Sequence, residues 1–226
     1  MLRFEELAYE QTPMGELSLR RRHVAVVDGD VYEVKLGEEF LMSSLFTVAE
    51  EELARLGLAA VAGDGPLSVV VGGLGLGYTA VTALDDPRVA ALAVVEALPE
   101  VIGWHERRLL PVSSRLVDDE RTRLVHADFF AVMRGEPGAA LGVPAGLDAI
   151  LLDVDHTPTF TLDPSHADLY TVEGIRRLAG HLAPGGVFAL WSDDPPDESF
   201  LAVLREVFAT VDGHTVEFDN PVTAGR

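Results

Sequence analysis

The chain has 226 residues, is 48% hydrophobic and carries a formal net charge of −20 at pH 7. This length and apolar content allow one α/β domain with a buried core and a small appendage. The acidity argues against a nucleic-acid partner, which would need a basic face, and the lack of cysteine excludes disulfides, thiolate nucleophiles and cysteine-bound metals.

Three further features bear on where the protein works and what it meets there. No stretch approaches the roughly 18 consecutive apolar residues of a membrane span, so no membrane partner is predicted. The first residues, MLRFEELAYEQ, carry acids and lack the apolar core of a secretory signal. With the absence of cysteine, this predicts a cytoplasmic protein. The acidic surface would attract a polycationic substrate, and acidity for solubility alone explains it equally well.

The first part of the chain, residues 1–44, shows the two-residue alternation of β-strands. Short alternating runs are predicted as strands at 16–19, 23–27 and 31–36. Asp28 and Gly29, between the last two runs, form a strong hairpin turn signal. We therefore predict a small N-terminal β-hairpin unit over residues 1–44.

The rest of the chain, residues 45–226, alternates between strand-like and helical segments. The predicted strands are 67–71, 89–95, 122–126, 147–152, 186–191 and 214–218. The predicted helices are 45–58, 77–85, 99–110, 129–134, 171–182 and 197–209. Repeated β-α units form a doubly wound, mostly parallel sheet with right-handed crossovers. The sequence thus predicts an α/β fold with a Rossmann-like domain over residues 45–226.

A glycine-rich turn follows the first strand of that domain, in the stretch LSVVVGGLGLGYT. Glycines at 72, 73, 75 and 77 indicate unusual backbone angles or a close approach to the backbone. A strand, a glycine turn and a helix N-terminus together offer free N–H groups to a ligand. The spacing G-x-G-x-G with Tyr78 departs from the dinucleotide fingerprint, and no P-loop lysine follows.

Acidic residues follow several predicted strands, at the sheet edge where open α/β sheets bind ligands. Glu96 ends the second strand, about where an acid meets ribose hydroxyls in such folds. Asp128 and Asp153 follow the third and fourth strands. The pattern favours an adenosine-containing ligand. The histidines lack metal-ligand spacing, so no metal is predicted.

Five motifs resemble those of the spermidine synthase-like (polyamine aminopropyltransferase-like) proteins, within the class I S-adenosylmethionine-dependent transferases. They are VVVGGLGLGYTA, VVEALPEVIGWH, HADFF, DAILLDVD and LYTVEGIRRLAGHLAPGGVFALW, which together span about Leu67 to Trp191. The resemblance implies a class I methyltransferase fold and a homo-oligomer, most simply a dimer.

The resemblance also implies a nucleoside site. By this resemblance, the glycine turn would hold the amino-acid or aminopropyl portion of S-adenosylmethionine or of decarboxylated S-adenosylmethionine. Glu96 would bind the ribose hydroxyls, and Asp128 would bind the adenine amino group. The residues implied to bind the donor are Gly72, Gly73, Leu74, Gly75, Gly77, Glu96, Ala127, Asp128 and Phe129.

Two motifs depart from the pattern of that family. Aminopropyltransferases usually carry D-x-x-D-P where this chain has D-V-D-H-T-P from Asp153 to Pro158. They also carry D-E-x-x-Y-H-E before the core, and residues 39–44 of this chain, EFLMSS, lack the Tyr-His pair. The identity of the acceptor and the retention of catalysis therefore stay open at this point.

The predicted acceptor side comprises four residues. The resemblance implies that Asp153 binds the incoming amine, and a carboxylate there can also take a proton and stabilise charge. Asp155 would grip a distal ammonium, His156 would be a second base, and Trp191 would wall the pocket. Each has a structural alternative, namely a loop-capping acid at 153, ordinary turn residues at 155 and 156, and a packing residue at 191.

The sequence thus predicts a transferase that moves an aminopropyl group from decarboxylated S-adenosylmethionine to a small amine or other small acceptor. A methyltransferase acting on a small molecule would use the same nucleoside site and would need positioning more than an acid pair. A non-catalytic nucleoside-binding homologue is the third interpretation.

Overall fold

The computed structural model describes residues 4–135, 146–154 and 156–220. Its first part is a four-stranded antiparallel sheet in the order β1-β2-β3-β4. The strands are β1 (Phe4–Thr12), β2 (Gly15–Val24), β3 (Gly29–Leu36) and β4 (Glu39–Ser43). The predicted strands at 16–19 and 23–27 belong to one strand, β2, and residues 25–27 lie in the turn that follows it. The hairpin is the β2–β3 pair, and β1 and β4 pair with its two edges.

The second sheet has five parallel strands in the order β7-β6-β5-β8-β9. They are β5 (Leu67–Gly72), β6 (Val89–Glu96), β7 (Thr122–His126), β8 (Leu147–Leu152) and β9 (Leu182–Leu190). Strands β6 and β7 extend the sheet on one side of β5, and the chain then crosses to the other side of β5 to form β8 and β9. The switch point between β5 and β8 is where such sheets bind ligands. The predicted doubly wound fold is confirmed.

The predicted sixth strand at 214–218 is wrong. Residues 209–220 form no helix or strand. Phe218 contacts the ring of Phe46, with centroids 6.0 Å apart, so its apolar side chain packs on the segment before the first helix.

Seven α-helices occur in the described residues. They are α1 (Val48–Ala59), α2 (Tyr78–Ala83), α3 (Pro99–Glu106), α4 (Ser113–Val117), α5 (Phe129–Arg134), α6 (Val172–Ala179) and α7 (Glu198–Arg205), with a 3-10 helix at Pro164–Asp168. Side chains of Asp128, Thr171 and Asp197 cap α5, α6 and α7 through backbone N–H groups. None of the described helices has both the length and the apolar character that crossing a membrane would take.

The core lies on both faces of the parallel sheet. Along β5, Val69 and Val71 join one apolar cluster and Val70 joins the other, as the alternation of a strand requires. The first cluster also contains Leu17 and Leu19 of β2, so the N-terminal sheet shares a core with the α/β unit. The division into domains at 1–44 and 45–226 stays a prediction.

Candidate active site

The glycine turn after β5 lies directly against the end of β8. Gly73, Gly75 and Gly77 have φ values of +93°, +45° and +91°, in the left-handed region that favours glycine. A Cβ on Gly73 would lie 2.0 Å from the carbonyl oxygen of Asp153. Both predicted properties of the turn, unusual angles and close approach, are confirmed. The two chain segments therefore meet at the switch point.

A buried histidine, His105, packs against the glycine turn and is hydrogen-bonded to it. The Nε2 of His105 lies 3.0 Å from the carbonyl oxygen of Gly75, which only accepts, so Nε2 carries the hydrogen. The hydroxyl of Ser113 then donates to Nδ1 over 3.2 Å. Burial lowers the pKa of His105 and keeps the ring neutral. A Cβ on Gly77 would meet this ring at 2.8 Å.

The sequence analysis missed His105, which lies in the VVEALPEVIGWH stretch at a helix position with no histidine-specific signal. His126 lies in a predicted strand, where a core histidine is the expectation, and that expectation is wrong. His126 is exposed, with its Nε2 3.2 Å from the carbonyl oxygen of Ala97. The last residue of β7 reaches the sheet edge, where solvent covers its side chain.

Glu96 joins the glycine turn to the start of α3. Its Oε2 accepts the Leu74 N–H at 3.0 Å, and its Oε1 accepts the Leu98 N–H at 2.9 Å. Burial raises the pKa of Glu96, and the backbone N–H donors act against that rise. The backbone N–H groups of Gly75 and Ala97 also act on this carboxylate. The predicted ribose-binding acid is thus held in place at the edge of the turn.

The predicted adenine-side residues lie next to Glu96. The Ala127 N–H donates to the Glu96 carbonyl oxygen at 3.0 Å. The Oδ1 of Asp128 caps α5, whereas its Oδ2 lies 3.7 Å from Arg134 on an exposed surface. Phe129 is buried against Gly72, where a Cβ would come within 2.6 Å of its ring. Asp128 therefore has a structural role in addition to any ligand contact.

Asp153 follows β8 and faces α2. Its N–H donates to the Gly72 carbonyl oxygen at 2.8 Å, and its Oδ2 accepts the Thr79 hydroxyl at 2.6 Å. Burial raises the pKa of Asp153 to about 6, against the lowering effect of the Thr79 hydrogen bond. A carboxyl group of this kind exchanges a proton near neutral pH.

A second carboxyl group, Glu50 on α1, lies near Asp153. The Thr79 hydroxyl that binds Asp153 also lies 3.3 Å from the Glu50 carbonyl oxygen. Burial, and next the negative charge of Asp153, raise the pKa of Glu50 to about 7. Glu50 could not be predicted from the sequence, because it begins the run Glu50–Glu52, which has the composition of a solvated first helical turn.

The other predicted acceptor-side residues have different surroundings. His156 is bonded through both ring nitrogens, to Asp193 and Glu39. Trp191 packs against the first core cluster, and its indole Nε1 is buried with no hydrogen-bond partner in the part of the chain that the structure describes. Asp155 lies outside the described residues. Within those residues no cluster of side chains is arranged to hold a metal ion.

Comparison with known proteins agrees with the motifs. No protein-family model matches the chain. A stretch of 132 residues is 33% identical to polyamine aminopropyltransferases of Mycobacterium tuberculosis and Mycobacterium bovis. The stretch is 58% of this chain and 24% of each relative, so the match spans about a quarter of the length of these curated proteins.

Solved spermidine synthases have a similar fold. The Thermotoga maritima enzyme matches with a TM-score of 0.65 at 21% identity, covering 89% of this chain and 62% of that one. A spermidine synthase in complex with the transition-state analogue AdoDATO matches at 0.66 and 21%, covering 89% and 64%. A probable spermidine synthase from Corynebacterium glutamicum matches at 0.57 and 17%, covering 82% and 62%. The resemblance and the fold class are confirmed.

The contact at Gly73 leads to a prediction with a matched control. We expect Gly73→Ala to destabilise the fold and to abolish nucleoside binding, because its Cβ would collide with the Asp153 carbonyl. Gly63 has φ +86° and nothing within 4 Å of its Cβ position, so Gly63→Ala carries the backbone cost alone, about 1–2 kcal/mol. Thermal unfolding of both variants measures the difference. Equal losses of stability would contradict the close contact.

The raised pKa of Glu50 predicts how stability depends on pH. Its pKa of about 7 in the folded chain lies above the ordinary 4.5, so the folded state loses stability as pH rises from about 4.5 through 7. Glu50→Gln removes this loss, and should stabilise the protein at pH 8 by at most about 3 kcal/mol and hardly at all at pH 4.5. Chemical denaturation at both pH values measures it, with the exposed Glu120→Gln as control. A variant less stable than the parent at pH 8 would refute the prediction.

Proposed function

We propose that the chain transfers an aminopropyl group from decarboxylated S-adenosylmethionine to the nitrogen of a small amine. The observation that carries the proposal is the position of Asp153, whose main chain contacts the glycine turn at the switch point and whose carboxyl group has a pKa raised to about 6. The similarity to the mycobacterial polyamine aminopropyltransferases supports it. Because the match covers about a quarter of those proteins, their activity, substrates and partners are extended to this chain as proposals.

The donor's nucleoside would occupy the edge formed by the glycine turn, Glu96 and Asp128. The glycines let the turn pack tightly against neighbouring protein atoms, and the turn leads into the N-terminus of α2, where the first N–H groups lack partners within the helix. Glu96 would bind the ribose hydroxyls, and the Oδ2 of Asp128 has the acceptor character that an adenine amino group needs. This arrangement would direct the sulfonium end of the donor toward Asp153.

The transfer itself is a displacement at carbon. The amine nitrogen forms a bond to the carbon beside sulfur, the carbon–sulfur bond breaks, and its electron pair leaves with the neutral thioether. The amine must lose a proton, and Asp153 accepts it, because a group with a pKa of about 6 is ionised at pH 8. Glu50 adds a second negative charge that attracts the cationic amine and stabilises the cationic product.

The same charges bear on the choice of donor. Intact S-adenosylmethionine carries a carboxylate that the decarboxylated form lacks. The carboxyl groups of Asp153 and Glu50 would repel that carboxylate, which supports the decarboxylated donor. No observation specifically favours methyl transfer or a non-catalytic role. The cytoplasmic location, the dimer and the absence of a metal stay predictions.

The role of Asp153 is tested by Asp153→Asn, which keeps the shape and removes the base. We expect turnover with decarboxylated S-adenosylmethionine and a panel of small amines to fall about a thousandfold, while nucleoside binding changes little. Asp148→Asn is the matched control, since Asp148 lies at the opposite end of β8 and accepts the Ser68 N–H at 2.8 Å. Wild-type turnover in Asp153→Asn would overturn the assignment.

A further inference from the structure

His156 connects three segments around the candidate active site. Its Nδ1 lies 3.0 Å from Oδ2 of Asp193, after β9, and its Nε2 lies 3.3 Å from Oε1 of Glu39, the first residue of β4. The Asp193 N–H also donates to the His156 carbonyl oxygen at 2.8 Å. The histidine thereby joins the segment after β8 to the segment after β9 and to the N-terminal sheet.

Both ring nitrogens of His156 are engaged by carboxylate groups. Nδ1 lies within hydrogen-bond distance of Asp193 and Nε2 within hydrogen-bond distance of Glu39, so the imidazole ring bridges the two acids. The ring of Phe160 stacks on the imidazole ring of His156, with centroids 5.2 Å apart. Neither nitrogen is left to act as a base.

The position of the bridge relates it to the reaction. His156 lies three residues after Asp153. The negative charge of Asp193, which His156 contacts, contributes to the raised pKa of Glu50 near Asp153. At the other end of the bridge, Met42 of β4 packs so closely on the glycine turn that a Cβ on Gly75 would lie 2.8 Å from its sulfur. The bridge thus contacts β4, which borders the glycine turn, and it belongs to the segment that carries Asp153.

We propose that His156 is a positioning residue that holds the start of β4 against the segments after β8 and β9 and so closes the acceptor side of the site. The acceptor side has meaning only under the proposed function, on which this inference rests. The role replaces the substrate contact and the second base predicted from the sequence. Asp153 and Glu50 would bind the amine, and the bridge would keep the surrounding segments at a fixed distance from each other.

The test compares His156→Gln with His23→Gln. His23 is a matched control because it also lies near two carboxylates, 3.4 Å from Asp30 and 3.8 Å from Asp28, but on the hairpin. In His156→Gln we expect faster amide hydrogen exchange across β4 and a KM for the amine raised roughly tenfold. We also expect little change in kcat or in the Kd for the decarboxylated donor. His23→Gln should leave the exchange of β4 and the KM unchanged.

Variants of Glu39 provide a second route if His156→Gln folds poorly. Glu39→Gln keeps an acceptor oxygen, so its KM for the amine should stay close to the parental value. Glu39→Ala should raise the KM as His156→Gln does. Unchanged exchange of β4 in His156→Gln and in Glu39→Ala would overturn the proposal, as would a fall in kcat with an unchanged KM. If no amine is turned over, the proposed function fails, and the exchange measurement still decides whether the bridge holds β4.

Discussion

The contact between the backbone of Gly73 and the carbonyl of Asp153 is the constraint on which the site depends. The sheet reverses its order between β5 and β8, so the two loops that leave these strands emerge side by side. No side chain fits between them, and a left-handed φ at Gly73 is needed to make the turn. The glycine turn and the backbone of Asp153 are therefore fixed relative to each other by main chain, and the Thr79 hydroxyl holds the Asp153 carboxyl group.

Around this contact the fold places carboxyl groups where they are costly. Burial raises the pKa of Asp153 and of Glu50, which means that the folded protein holds both charges at the expense of stability near neutral pH. A protein that needed only stability would have amides or apolar residues there. The N-terminal sheet completes the arrangement, since β2 shares the apolar core and β4 reaches the site through Met42 and the bridge from Glu39 to His156.

The sheet and the positions of the glycine turn and Glu96 at its edge were predictable because they depend on local patterns. Apolar β-branched runs mark the strands, and glycines or acids follow them at one edge, as at Gly73 and Glu96. Contacts between distant segments were not predictable. Glu50 lies in an ordinary acidic helix start, His105 carries no signal of its own, and the pairing of β1 and β4 depends on partners rather than on alternation. At 214–218 the alternation was real, but Phe218 packs on Phe46 instead of entering the sheet.

The proposed site binds a sulfonium nucleoside that lacks a carboxylate. Acidic groups beside the nucleoside bind the amine and accept its proton. Calorimetric titration of the purified protein with decarboxylated S-adenosylmethionine, and separately with the intact nucleoside, tests this proposal most directly. The account predicts tighter binding of the decarboxylated form at pH 8, and a smaller preference in Glu50→Gln, where one repelling charge is gone. Preference for intact S-adenosylmethionine, or no binding of either nucleoside, would contradict it.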